Sequence, residues 1–407
     1  MRGGSVAVVG GSIAGCAAAL AVARGGAGQV TVFERTAGAL RDRGVGITLQ
    51  RERYTELRDA GYVDDGVPWL PMSRRVWSVR DGDAPLGRTI AIRPFHFRAY
   101  NWGTLWSGLR RRVPEGARYR SGTTVTAVEP GAEGATLRLA DGSTERFDAV
   151  VGADGYRSAV RAALFPDSEG APRYAGYLAW RGTSPPVDTA LWAEGDCHTV
   201  VFPGGHCMIY RIPDPVEGHR VNWVLYAAPP EPPGGPDAAT WTAASLPPGR
   251  LGPALTAYLR DLVTRRFAPF WAECLLRSPA ESMFAQPIHD VEVPAYAAGR
   301  VLLTGDAATV ARPHTGGGSV KALQDATALE AAWRAGDGWP AVTGAYDADR
   351  TAVGRAMVAL GRRLGRAQVE ETPDWSTMGE AELDAWWREL TGAGAGGTLG
   401  GVALDRR

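Results

Sequence analysis

Apolar residues fall into distinct textures along the chain. VAVVG (6–10) and VTVFE (30–34) are short β-branched runs without polar alternation, and SIAGCAAALAVAR (12–24) between them is built of small helix formers. Unbroken apolar runs of this length predict strands buried on both faces, and the alanine- and leucine-rich stretch predicts a helix. Strand, glycine turn, helix and strand within about 30 residues predict a βαβ unit of a parallel sheet. RYRSGTTVTAVEP, ATLRLADGSTERF and DAVVGADG, within 118–155, predict further strands separated by turns such as Asp141-Gly142. Between about 172 and 290 the pattern alternates, in HTVVFPG, HCMIYRIP and VNWVLYAA, broken by the proline-rich APPEPPGGPD (228–237). Such alternation predicts an antiparallel sheet inserted into the first domain. RVLLTGD (300–306) returns to the buried parallel texture. From Ser319 the helical period dominates, with amphipathic stretches at 320–336 and 346–368, and the glycine-rich 391–401 predicts a loose terminus.

Length and charge narrow this picture. A chain of 407 residues exceeds the usual size of a single core, which predicts two domains or one with a large insertion. Lysine plus arginine equals aspartate plus glutamate at 44 each, so no net field gathers nucleic acid or an anionic membrane. Lys321 is the only lysine, a bias first attributable to a GC-rich coding genome, and its place in the first turns of a helix predicts a solvated side chain. Cys16, Cys197, Cys207 and Cys274 form no CxxC pair and are too few for a disulfide framework, which suits a reducing cytoplasm. The apolar first thirty residues lack a separate charged segment and a cleavage site, and no run reaches 18 apolar residues, so a soluble cytoplasmic protein is expected.

The first βαβ unit carries candidate chemistry. GGSIAG (10–15) matches the dinucleotide fingerprint GxGxxG except that Ser12 replaces the second glycine. Gly10 would make the tight turn and Gly15 the close helix–strand contact. Ser12, Ile13 and Ala14 would open a helix whose free N–H groups attract phosphate. Glu34 ends the next strand about 20 residues on, where an acid accepts ribose hydroxyls, with Arg35 beside it. In ALRDRGVGITLQ (39–50), Arg43 suggests a loop returning to the ligand's phosphate or ring end, whereas Arg41 reads as solvated. NAD, NADP and FAD share this half-site.

Two later motifs separate them. DAVVGADGYRSAVR (148–161) and RVLLTGDAATVARPHTGGG (300–318), followed by Ala322 and Asp325, complete with GGSIAG and Glu34 an ordered set spanning almost the whole chain. The set resembles the FAD-dependent aromatic hydroxylases of the para-hydroxybenzoate hydroxylase fold. GYLAWRG (176–182), NWGTLW (101–106) and ARPHTGGG are most similar to their 2,6-dihydroxypyridine 3-hydroxylase branch. The resemblance implies an α/β fold: a Rossmann-like FAD-binding domain over 1–171 and 291–335, an inserted antiparallel or mixed sheet over 172–290 on the substrate side, and a C-terminal helical segment over 336–407. It implies FAD as cofactor, NADPH or NADH as transient reductant, and oxygen transfer to an aromatic or heteroaromatic ring through a C4a-hydroperoxyflavin. It assigns Asp154, with Gly155 and Arg157, to a turn near the pyrophosphate. Gly305 and Asp306 fall to the ribityl chain, and Pro313, Gly316, Gly317 and Gly318 to a backbone patch beside the flavin ring. Two departures stand out: Thr309 replaces the histidine that often follows GDAA, and Trp102 replaces an arginine that often opens its helix. A flavoprotein oxidase or reductase, or a non-catalytic flavin-binding protein, remains an alternative on the same fold.

An electron-rich ring becomes more reactive when its proton is withdrawn, and His314, between Pro313 and the glycines, is the candidate base or substrate contact. Arg181 would hold an anionic substrate or shape the pocket. Tyr210, Trp223 and Tyr226, on alternating strands, are candidates for its wall. His198 and His206 have no metal-like spacing with any partner, so no metal is expected. The expected partners are a small aromatic substrate and O2, with the chain a monomer or homodimer.

Overall fold

The computed structural model describes residues 3–38, 40, 45–167, 170–187, 190–230 and 245–391. The unbroken apolar runs form one six-stranded sheet in the order β16 (Ala297–Ala298), β17 (Val301–Leu303), β10 (Ala149–Gly152), β1 (Ser5–Val9), β2 (Gln29–Glu34), β6 (Arg118–Ser121). All neighbours pair in parallel except β16 and β17. Both faces are covered, which explains the lack of polar alternation. Helices α1 (Ile13–Gly25) and α7 (Gly318–Ala335) pack on each other, and Trp333 closes on α1 so tightly that a Cβ on Gly25 would lie 2.7 Å from its ring. A small sheet of β7 (Val125–Gly131), β8 (Gly134–Leu139) and β9 (Thr144–Phe147) precedes β10.

The alternating runs form an eight-stranded sheet in the order β15 (Phe284–Asp290), β11 (Arg173–Ser184), β14 (Gly218–Ala227), β13 (Gly205–Asp214), β12 (Asp196–Phe202), β4 (Leu70–Val79), β5 (Arg88–Asn101), β3 (Gly46–Gln50). Three of its strands come from residues 46–101, inside the stretch expected to belong to the FAD-binding part. The sheet is thus assembled from two chain segments, with β12 joining β4 in parallel across the seam. Its outer face lies under α5 (Pro253–Arg266) and α6 (Pro269–Leu276), in a core rich in tryptophan. Among the described residues the remaining α-helices are α2 (Arg51–Asp59), α3 (Trp102–Arg112), α4 (Ala159–Leu164), α8 (Trp339–Gly365) and α9 (Glu380–Thr391), and α8 runs on through one π-helical turn over Arg366–Glu370. The glycine-rich 392–407, residues 231–237 of the proline-rich stretch, Arg41 and Arg43 lie outside the described residues. No described helix is long and apolar enough to cross a membrane.

Candidate functional site

The three glycine-bearing motifs meet at the C-terminal ends of β1, β10 and β17, the edge of a parallel sheet where ligands bind in doubly wound folds. Gly10 has φ 102°, and a Cβ there would sit 2.3 Å from the Ala153 carbonyl oxygen. One on Gly15 would sit 1.8 Å from the Gly10 carbonyl oxygen, and one on Gly305 2.7 Å from Ala14 Cβ. Any side chain would push the motifs apart. Gly11 is constrained by packing instead: its carbonyl accepts hydrogen bonds from Trp106 Nε1 and Tyr119 Oη, each at 2.9 Å.

α1 begins at Ile13 after Ser12, which is half-buried and makes no capping hydrogen bond, so its hydroxyl and the first-turn N–H groups are uncommitted. Glu34 is buried; its two oxygens accept the N–H groups of Gly11 and Thr36, each at 2.8 Å, leaving lone pairs for hydroxyl donors. Arg35 is exposed. Asp154 faces inward to α4, accepting from the Ala159 amide at 2.7 Å and from Ser158 Oγ, so its carboxylate serves first as a helix-start acceptor.

Asp306 differs from the other acids of the motifs. Its carboxylate makes no hydrogen bond among the described residues, and the side chain is open to solvent yet surrounded by protein, as on the floor of a cleft. Burial raises its pKa, opposed by Lys321 and Arg161. The preceding residue is held from both sides: Gly305 N–H donates to Asp325 Oδ2 at 2.8 Å, and Lys321 Nζ donates to the Gly305 carbonyl at 3.0 Å. Lys321 also pairs with Asp325 at 2.8 Å, and Arg350 binds the other carboxylate oxygen at 2.7 Å. Lys321 is only 2% exposed, so the expectation of a solvated lysine is wrong. Burial alone would lower its pKa, but the Asp325 charge outweighs it and holds the ammonium protonated. Beyond Gly316, at φ 62°, α7 starts at Gly318, where a Cβ would meet nothing within 4 Å and no side chain caps the helix; Pro313 is exposed and Gly317 buried.

These features fit FAD. They could offer a glycine cradle and the uncapped start of α1 to the diphosphate, a carboxylate at the end of β2 to a ribose, a free carboxylate on the cleft floor to a polyol linker, and the bare backbone at the start of α7 to the ring.

Beside this cleft lies one face of the large sheet. The cross-strand pairs Arg181–Val224, Ala179–Tyr226, Tyr210–Asn222 and His206–Tyr226 put Tyr177, Arg181, His206, Tyr210, Asn222 and Tyr226 on that face. His314 packs onto it, with ring centroids 4.6 Å from Tyr226 and 5.1 Å from His206, and its Nε2 lies 2.7 Å from Tyr177 Oη. Arg312, paired with Asp290 and Glu370, stands over the Tyr177 ring and anchors the Pro313–Thr315 turn. Burial, reinforced by the charges of Arg312 and Arg75, pushes the His314 pKa well below the usual histidine value and keeps the ring neutral. Three buried polar atoms here lack a partner among the described residues: Arg181 Nε, Asn222 Nδ2 and His314 Nδ1. The Gly46 N–H donates to Asn222 Oδ1 at 2.6 Å, which leaves Nδ2 as the free donor.

Trp223 is not on this face. It points into the core beneath α5 and α6, donates from Nε1 to Ser278 Oγ at 2.8 Å, and packs under Gly182. It is one strand position out of phase with Asn222 and three from Tyr226, so the period of two that defines a strand already separates it from them. Asn222 and Tyr177 were findable by the same parity. Arg350, far along the chain, carried no such signal.

A family model described as FAD binding domain matches residues 256–360. The chain is 32% identical over 339 residues to the 2,6-dihydroxypyridine 3-monooxygenase of Paenarthrobacter nicotinovorans, covering 80% of this chain and 81% of the relative. It is 29% identical over 355 residues to a salicylate hydroxylase of Pseudomonas putida, covering 79% and 75%. The solved structure of 2,6-dihydroxypyridine-3-hydroxylase from Arthrobacter nicotinovorans superposes with a TM-score of 0.79 at 27% identity, over 92% of this chain and 96% of that one. Klebsiella pneumoniae HpxO with FAD and uric acid shares the fold, at a TM-score of 0.72 and 22% identity over 96% and 93%.

Proposed function

The chain belongs to the FAD-dependent aromatic hydroxylases, monooxygenases that use NAD(P)H and O2, and on that premise we propose that it hydroxylates an electron-rich heteroaromatic ring bearing oxygens, of the dihydroxypyridine kind. The observation that carries the substrate class is the set of unpartnered atoms on the cleft face of the large sheet. Arg181 Nε and Asn222 Nδ2 are both donors, so the ligand that completes them presents acceptor oxygens, preferably anionic. The name of the relative at 32% identity supports the same class.

Bound FAD would supply the redox chemistry, the use of NAD(P)H as reductant and the activation of O2. Gly10, Ser12, Ile13, Ala14, Gly15, Glu34 and Asp154 would hold its adenosine and diphosphate side. Gly305, Asp306, Pro313 and the 316–318 backbone would hold its linker and ring. Arg181 stabilises the anionic form of the substrate, and Tyr210, Asn222 and Tyr226 wall the pocket and exclude water. His314 acts as a neutral orienting group rather than a base. A ring whose pKa is depressed by burial is a poor proton acceptor at neutral pH, and with Tyr177 Oη donating to Nε2 its Nδ1–H is free to bind a substrate oxygen.

His314→Ala should keep substrate-stimulated NAD(P)H oxidation but divert about tenfold more of it to hydrogen peroxide, roughly the effect of one lost hydrogen bond. An unchanged ratio of product to NAD(P)H would remove the role. A panel of dihydroxypyridines and hydroxybenzoates tests the substrate class, and a preference for salicylate-like acids would overturn it.

A further inference from the structure

Arg75, on β4, is 5% exposed and makes no ion pair among the described residues. Its Nε donates to Thr199 Oγ1 at 2.8 Å, and its guanidinium lies over the Trp77 ring at 4.0 Å, with Trp387 at 5.3 Å and Phe95 at 5.7 Å. Aromatic faces offset only part of the cost of removing a full charge from water, which is several kcal/mol in a protein interior. The carboxylate on the same cavity wall, Asp384, gives no relief. Arg93 is itself saturated, bonded to Asp384 at 2.7 Å and to Glu380 at 2.6 Å, and that pairing also neutralises the one carboxylate facing the same space.

Arg75 lines a cavity of about 20 Å³ between β4, β5 and α9, bounded also by Trp77, Arg93, Phe95, Leu383, Asp384 and Trp387. A space this small favours a compact, monatomic anion over a polyatomic oxyanion. We propose that this cavity is a binding site for a single weakly hydrated monovalent anion of the halide class, held by the terminal nitrogens of Arg75. The guanidinium is more weakly hydrated than an ammonium and pairs best with an anion that is likewise cheap to desolvate. Bromide and chloride should therefore bind and fluoride should not. The site lies outside the groups assigned to FAD and substrate, so it stands or falls independently of them.

The test uses the FAD-loaded enzyme at constant ionic strength, with bromide compared against fluoride and gluconate. Bromide should raise the unfolding midpoint saturably, by about 3 °C at a hundred times its dissociation constant. Crystals grown in bromide should show an anomalous peak in contact with Arg75. Two variants should each abolish the bromide-specific shift: Arg75→Met, which removes the charge, and Leu383→Phe, which keeps the charge and fills the cavity. Should Arg75→Met fail to fold, Leu383→Phe and the wild-type anomalous map decide. An equal response to fluoride, a bromide response retained in Leu383→Phe, or bromide peaks only on the outer surface would overturn the proposal.

Discussion

Lys321→Met is the substitution that probes the cleft most directly. Methionine keeps the length of the side chain and removes only the ammonium, which touches Asp325 at 2.8 Å and the Gly305 carbonyl at 3.0 Å in a site 2% exposed. Breaking a buried ion pair from one side costs about 3–5 kcal/mol. Asp325 keeps Arg350 at 2.7 Å and the Gly305 amide at 2.8 Å, so the lower end, about 3 kcal/mol, applies. At about 2.1 cal/mol/K per residue over 407 residues, unfolding as one unit carries about 0.85 kcal/mol/K, and the midpoint should fall by about 3–4 °C. A second effect falls on the cofactor. Lys321 and Arg350 against Asp325 leave one net positive charge beside Asp306; without Lys321 the Asp306 pKa rises further and the Gly305 backbone before it is held from one side only. Losing a hydrogen bond to a charged acceptor, about 1.5–3 kcal/mol, weakens FAD binding about 10- to 150-fold. Fluorescence quenching of FAD titrated with apoprotein measures the constant, and differential scanning calorimetry of the apoprotein measures the midpoint. Lys321→Met with the wild-type FAD constant and midpoint would refute the clamp. Lys321→Arg should retain most of the affinity while losing about 1–3 kcal/mol to overpacking.

Trp223→Phe should cost about 1–3 kcal/mol, from lost ring contacts and an orphaned Ser278 hydroxyl, while the ratio of product to NAD(P)H oxidised stays at the wild-type value; a change in that ratio would place Trp223 at the pocket after all. Asn222→Leu should raise KM for substrate about 10-fold or more with little change in FAD affinity, and an unaltered KM would show that Nδ2 meets no ligand. Burial depresses His198 and His206 to about 3 from an ordinary 6.5. The folded state then refuses protons that the unfolded chain accepts, so stability is full above about pH 6.5 and is lost as pH falls towards 3, by about 1.4 kcal/mol per pH unit for each ring. Urea midpoints at a series of pH values between 7.5 and 5 read this slope, and a flat profile would contradict neutral burial of the two rings.

What was legible in the chain was whatever short-range sterics dictate. The glycines at 10 and 15 read as a tight turn and a close backbone contact, because a Cβ at either would collide with a carbonyl oxygen and only one residue type avoids it. The βαβ start, the inserted alternating strands and the late return to a buried strand follow from periods of two and unbroken apolar runs, which each segment carries within itself. Contributions from far along the chain were not legible. Residues 46–101 join the large sheet only because β12 lies beside β4 in parallel, a pairing with no local signature. Tyr177 meets His314 across 137 residues of sequence.

Lys321 shows why composition misleads where packing decides. Its rarity has a plausible genomic explanation, and its place early in a helix argues for solvent, yet whether a helical residue is wet depends on what lies across from it. Here Arg350, from α8, reaches the same carboxylate, and Tyr296 lies 5.2 Å from the ammonium, so the first turn of α7 is covered. A chain that uses arginine at every other cationic position and lysine only here places the compact ammonium where a planar fork would have to fit between a glycine carbonyl and a carboxylate one helical turn away. Substitution by arginine separates the two accounts: if codon bias alone explained the lysine, Lys321→Arg would be as stable as the wild type, whereas a requirement for the small cation predicts a lower unfolding midpoint with the charge intact.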